Sequence, residues 1–154
     1  MVEVTRAHMD PSLIQGDTIV VAGGGLSGCD CALELAMEGK HVTIVEMLDA
    51  LCPNAILDNR NPLMFRLEEY GVKQLTSTRI VAFQENSVVV EGPDGRQELP
   101  ADTMIAAFGT KPNNAGVDAV CDKYPTTAVV GDCTGVDQVA KAVRGGFFAA
   151  WSLH

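Results

Sequence analysis

Apolar and polar positions alternate with two different periods along this chain. Three short, almost unbroken apolar runs, residues 18–22, 41–46 and 102–108, have the length and β-branched content of strands buried on both faces. Between the first two, Leu26, Cys29, Leu33, Ala36 and Met37 recur at helical spacing, and Gly39 supplies a stop. Asn61-Pro62 gives an N-cap followed by proline at the first helical position, which predicts a second helix running to Tyr70 and ended by Gly71. Residues 72–75 then read as a short strand. Beyond them, 80–83, 87–91 and 97–99 read as strands joined by turns, with Asp94-Gly95 as a hairpin signal. A strand over 127–130 and a helix from about residue 138 to residue 152 close the pattern. Residues 1–16, with Pro11 and Gly16, have no clear period and read as an irregular lead-in.

The link between the first strand and the first helix carries the chemistry. Gly23-Gly24-Gly25-Leu26-Ser27-Gly28 follows the run Thr18-Ile19-Val20-Val21-Ala22, and Glu46 ends the second run, 18 residues after Gly28. Strand, glycine turn, helix, strand and terminal acid in one short unit is the dinucleotide-binding fingerprint in its structural context. Gly23 permits the tight turn, Gly25 leaves the backbone open to a pyrophosphate, and Gly28 lets helix and strand pack closely. The helix beginning near Leu26 directs unpaired N–H groups and its positive end at the phosphates. Glu46 is placed to accept from an adenosine ribose, and Met47 and Leu48 supply no cation for a 2′-phosphate, so NAD is expected over NADP. Gly109, in the loop after the third buried run, lies at the strand end where ligands bind in such sheets. The expected fold class is α/β, a Rossmann-type three-layer fold with a parallel sheet and a small antiparallel β insert. The expected cofactor-binding residues are thus Gly23, Gly24, Gly25, Leu26, Ser27, Gly28, Glu46, Met47 and Gly109.

Composition narrows the classes without changing this reading. At 154 residues, 47% hydrophobic and 20% charged, the chain has the make-up of one globular α/β unit. No apolar stretch is long enough to span a membrane, and the opening Met-Val-Glu-Val-Thr-Arg has no export signal, so a soluble, cytoplasmic protein is expected. A net charge of −9 without a Lys/Arg cluster argues against nucleic acid as a partner. The five cysteines, Cys29, Cys31, Cys52, Cys121 and Cys133, contain no C-x-x-C pair, and no metal or iron–sulfur ligand set is suggested. Cys29 and Cys31, two apart on a helix, point to different faces and read as small core residues.

The residues around 20–28, 42–49, 102–113 and 129–150 resemble the nucleotide-binding half of flavoproteins of the pyridine nucleotide-disulfide oxidoreductase fold. The segment Val42-Thr43-Ile44-Val45-Glu46-Met47-Leu48-Asp49 is most similar to the branch fused to old-yellow-enzyme-like barrels, typified by enoate reductases, 2,4-dienoyl-CoA reductases and trimethylamine dehydrogenase. That resemblance implies an NAD(H)-binding domain over residues 17–126, with 127–154 contributing a strand and helix to the FAD-binding domain of a larger parent. It also implies that Asp132, within Gly131-Asp132-Cys133, contacts FAD near its ribityl or phosphate region, and that backbone near Gln138 and Val139 faces the flavin ring. The parent would pass hydride from NADH to FAD, and electrons onward through an iron–sulfur cluster to FMN. The chain would then be a fragment inactive by itself, its partners the dinucleotide and the remainder of the parent flavoprotein. Where many relatives carry Glu two residues after the last fingerprint glycine, this chain has Asp30; it reads either as a nicotinamide-side contact or as a helix-surface carboxylate near the positive helix end.

Two other classes compete with this reading. A non-catalytic module that holds a dinucleotide or ADP for structural or sensing purposes fits the same fingerprint. A self-contained dehydrogenase does not, because no catalytic residue set such as Tyr-x-x-x-Lys or a His–Asp pair is present, and His8, His41 and His154 read as structural or solvated. Lys111 reads either as a neighbour of the nucleotide or as a solvated loop cation.

Overall fold

The computed structural model describes residues 1–152, which form two compact units, one over residues 1–109 and one from residue 110 onward. His154 lies outside the described residues. In the first unit a five-stranded parallel sheet contains β1 (Val2–Glu3), β2 (Thr18–Ala22), β3 (His41–Val45), β4 (Lys73–Leu75) and β8 (Thr103–Ala106), in the order β1-β8-β2-β3-β4. A three-stranded antiparallel sheet is made by β5 (Arg79–Phe83), β6 (Ser87–Gly92) and β7 (Gly95–Pro100). Helices α1 (Val4–Met9), α2 (Leu26–Met37) and α3 (Leu57–Glu69) complete the unit.

The layering follows from strand alternation. Ile19, Val21, Ile44 and Ile105 point to one face and pack with Ala7, Cys29, Ala32, Leu35, Leu63 and Leu67 of the helices. Val20, Val45 and Met104 point to the other and pack against Val88, Val90 and Leu99 of the antiparallel sheet. Three layers result, helices, parallel sheet and antiparallel sheet, so both faces of the parallel sheet are covered and its strands are apolar throughout, as a buried parallel sheet requires. Gly39 and Gly71, at φ +88° and +69°, end α2 and α3 in the left-handed conformation that only glycine adopts freely.

Several elements differ from the sequence expectation. Residues 1–16 are ordered: β1 pairs in parallel with β8, and α1 buries Ala7 against the core, so this stretch is part of the sheet rather than an irregular lead-in. A two-residue edge strand has no periodicity of its own; its partner specifies it. Helix α3 begins at Leu57, a turn before the expected start, and carries Pro62 inside it. Residue 62 therefore donates nothing to the ladder, and Leu63 and Leu67, buried against the sheet, hold the helix across that gap. The third buried run forms a strand only over β8; Ala107 still donates its N–H to Ala22 O (2.8 Å), and Phe108 beyond it is exposed.

The second unit contains α4 (Val117–Lys123), which the sequence reading did not anticipate, a single 3₁₀ turn at Gly131–Cys133, and α5 (Val139–Trp151). Residues 127–130 form no strand, contrary to expectation. Val130 is extended at φ −139° and ψ 159°, but an extended segment becomes a strand only through a paired neighbour.

Candidate functional site

The glycine turn sits at the C-terminal ends of β2, β3 and β8. Gly23 leaves β2 at φ +113° and donates its N–H to Val45 O (2.9 Å), bringing the turn onto the end of β3. A Cβ on Gly23 would stand 2.3 Å from Ala107 O; one on Gly24 would stand 2.3 Å from a Leu51 methyl; one on Gly28 would stand 2.1 Å from Gly23 O. At 23 and 28 the close atoms are backbone oxygens, so the fold itself demands glycine there; at 24 the space is filled by the buried Leu51 side chain, which would have to move. Gly25 differs. It adopts ordinary extended φ −72° and ψ 176°, and a Cβ there would meet nothing within 4 Å.

Gly25 is the N-cap of α2, and no side chain caps this helix, nor does an acidic residue stand in its first turn. Leu26 and Ser27, the first two residues of α2, are exposed. The 12-residue helix therefore presents donor N–H groups and its positive end to open space. Such an end suits an anion.

Glu46, directly after β3, is half-buried, with one carboxylate oxygen accepting from Gly24 N (2.7 Å) and the other from Leu48 N (2.8 Å). Two fixed donors orient the carboxylate and leave lone pairs on both oxygens free. Met47 and Leu48 beside it are exposed. Gly109, at φ +77°, follows the exposed Phe108 at the end of β8. The fold thus gathers Gly23 to Gly28, Glu46, Met47 and Gly109 at one end of the parallel sheet. Asp30, on α2, is exposed, and partial desolvation raises its carboxyl above the ordinary range.

Asp132 belongs to the second unit. It is exposed on the 3₁₀ turn, and with Gln138, Lys141 and Gly145 it lines a small cavity of about 140 Å³. Asp137 accepts from Gln138 N (2.7 Å) and Lys141 Nζ (3.1 Å), and the first of these bonds, with the second adding to it, holds its carboxyl below the ordinary range. Lys111, also in this unit, is exposed. His8 makes a 3.3 Å contact with Glu34 on the surface of the first unit.

The sequence reading missed Leu51 and Cys52. They lie in the long connection after β3, yet they are buried beneath the glycine turn, at 2% and 3% exposure. Cys52 takes φ +48°, unusual for a residue with a side chain, and donates its N–H to Gly24 O at 2.8 Å. Arg60 of α3 donates to Leu51 O at 2.9 Å and holds the same loop from the other side. No local signal singles them out, since the same connection carries the exposed apolar residues Met47, Leu48 and Ile56.

A parallel sheet whose strand runs through a glycine turn into an uncapped helix, with a terminal acid on the neighbouring strand, defines a Rossmann-type nucleotide-binding domain. The chain belongs to the pyridine nucleotide-disulphide oxidoreductase family, whose pattern matches residues 2–146. It is an oxidoreductase domain of the class that uses NAD(P) and a flavin. It is 37% identical over 133 residues to bilirubin reductase of Mediterraneibacter gnavus, covering 86% of this chain and 21% of that protein. It is 31% identical over 144 residues to NADH oxidase of Thermoanaerobacter brockii, covering 92% of this chain and 22% of that one. Among solved structures, 2-naphthoyl-CoA reductase in complex with 2-naphthoyl-CoA superposes with a TM-score of 0.80 at 24% identity, over 92% of this chain and 22% of that one. Histamine dehydrogenase from Rhizobium sp. 4-9 superposes at 0.76 with 17% identity, over 96% and 25%; these two likenesses are of fold. The chain therefore spans about a fifth of the length of the two curated relatives. Among the described residues no helix is long and apolar enough to cross a membrane.

Proposed function

We propose that this chain is the NADH-binding domain of a larger flavin-dependent oxidoreductase of the old-yellow-enzyme-like branch, in which it presents NADH for hydride transfer to FAD. The observation that carries the reading is the open, uncapped N-terminus of α2 at Gly25, beside the oriented carboxylate of Glu46. Every other fingerprint glycine sits against the protein's own atoms. At Gly25 the absence of a side chain serves no internal contact, and it is there that a pyrophosphate oxygen would approach the N–H groups of Leu26 and Ser27.

In this role the nicotinamide supplies the hydride and FAD accepts it. The chain's own residues bind and orient. The α2 N-terminus neutralises the pyrophosphate, Gly23 and Gly24 shape the turn, and Glu46 accepts from the adenosine ribose hydroxyls. Met47 and Gly109 border the site. A 2′-phosphate would face the Glu46 carboxylate; unit charges 4 Å apart repel by about 1 kcal/mol in bulk water and about 4 kcal/mol at a protein-surface dielectric. NADH is favoured over NADPH accordingly. Residues 127–152, with Asp132, would contribute to the FAD site of the parent. The exposed stripe Val139, Val143, Phe147 and Trp151 along α5 supports this, since a helix repeating apolar residues every fourth position buries that face in its working state.

Calorimetric titration of the purified chain with NADH, NADPH and FAD tests the proposal. NADH binding at least tenfold tighter than NADPH is expected, about 1.4 kcal/mol. Absence of any dinucleotide binding would refute it.

A further inference from the structure

Cys29 and Cys52 come from different elements, the second turn of α2 and the loop after β3, yet their sulfurs stand 3.5 and 3.6 Å from one atom, the carbonyl oxygen of Gly24. Both thiols donate to that oxygen, so the two side chains converge on one point beneath the turn. Both are buried, at 0% and 3% exposure. Neither has a part in the dinucleotide reading above. We propose that Cys29 and Cys52 form an oxidisable dithiol beneath the phosphate-binding turn, cross-linked by hydroperoxides, and that the cross-link lowers the affinity of the turn for NADH.

The asymmetry of the pair assigns the roles. The neighbouring Cys29 thiol, and after it the Arg60 charge, hold the Cys52 thiol below its ordinary value against burial and the carboxylates of Asp30 and Glu46. The same contact, with burial, pushes Cys29 up. Cys52, the more readily ionised of the two, is the attacking sulfur. It takes one oxygen from hydrogen peroxide to become a sulfenic acid, and the hydroxide released leaves as water with the Cys52 proton. The Cys29 sulfur then attacks the Cys52 sulfur, forming the S–S bond and releasing a second water. Two thiols lose two electrons and two protons; one peroxide becomes two waters. Cys31, two residues from Cys29, is a poor competitor: burial, then the Glu34 and Glu38 carboxylates, push it up to about 11.

The consequence for binding is geometric and rests on the function proposed above. A disulfide draws the sulfurs to about 2.05 Å and removes both S–H groups from the Gly24 carbonyl. Gly24 precedes the Gly25 N-cap, and its N–H is held by Glu46, so displacement at this carbonyl reaches both halves of the anion site.

The test uses the full chain with Cys31, Cys121 and Cys133 replaced by Ser, treated with hydrogen peroxide. Peptide mass spectrometry reads the cross-link and calorimetry reads NADH affinity. The proposal expects a 29–52 cross-linked peptide lighter by two hydrogens, NADH binding weakened by about tenfold or more, and recovery with dithiothreitol. It is overturned if both residues stay reduced, if Cys52 is over-oxidised without a cross-link, or if the cross-linked chain binds NADH as the reduced chain does. If the reduced chain fails to bind NADH, the proposed function fails, while the mass readout still decides the cross-link.

Discussion

Gly25 and Gly28 lie three residues apart in one turn, and their alanine variants should separate ligand demand from fold demand. At Gly28 the new methyl would stand 2.1 Å from Gly23 O and 3.1 Å from the Ala107 side chain. The oxygen belongs to the backbone of a turn pinned by the Gly23 N–H to Val45 O, so α2 must shift by about 1 Å, an overpacking cost of about 2 to 3 kcal/mol. For a chain of this size that lowers Tm by about 5 to 10 °C. At Gly25 the methyl meets nothing within 4 Å and φ is −72°, so no strain arises. Alanine loses about 0.5 to 1 kcal/mol as an N-cap relative to better caps but gains a similar amount by restricting the unfolded chain. The two nearly cancel, and Gly25→Ala should unfold within about 0.5 kcal/mol of the parent. Its NADH affinity should nevertheless fall by about tenfold or more, because the methyl occupies the approach of the pyrophosphate. Urea unfolding and NADH calorimetry on both variants make the comparison. A stable Gly25→Ala protein that binds NADH within about twofold of the parent would refute the argument, since 0.4 kcal/mol is less than any real steric block.

Glu46→Ala should lose about 1 to 3 kcal/mol of stability, because the buried Gly24 N–H loses its acceptor, and should bind NADH about tenfold more weakly. Glu46→Gln keeps an acceptor, removes the charge and should bring NADPH affinity towards that of NADH in parallel titrations. Asp102 accepts from Thr18 N (2.9 Å) and Asp17 N (3.0 Å), and these bonds, that to Thr18 first, hold its carboxyl below the ordinary range. Its stabilisation is therefore fully present above the ordinary carboxylate range and is lost as pH falls through the lowered value. Thermal melts between about pH 6 and about pH 3 should show a shallower acid decline for Asp102→Asn than for the parent. Ile44→Ala, at a fully buried position of the interior strand β3, should cost about 2 to 5 kcal/mol in urea unfolding.

The sequence by itself determined those parts of the protein whose signals are local. Apolar runs of strand length gave β2, β3 and β8; glycines at positive φ ended α2 and α3; Asp94-Gly95 joined β6 to β7 in register. The glycine turn was legible because its spacing and its place between a strand and a helix are local, although the contacts that crowd positions 23 and 24 come from Ala107 and Leu51. Tertiary structure alone decided whatever depends on a distant partner. The strand β1 exists because β8 offers an edge 103 residues later in the register Val2 to Ile105. Residues 127–130 form no strand although Val130 is extended, since no local pattern says whether an edge is within reach. Leu51 and Cys52 lie under the turn, and Cys29 meets Cys52 at one carbonyl, because the long loop folds back through contacts with Gly24 and Arg60 that no periodicity encodes. Local rules fix the conformation of a segment; the free energy of burial and pairing, summed over residues far apart in the chain, fixes where it goes.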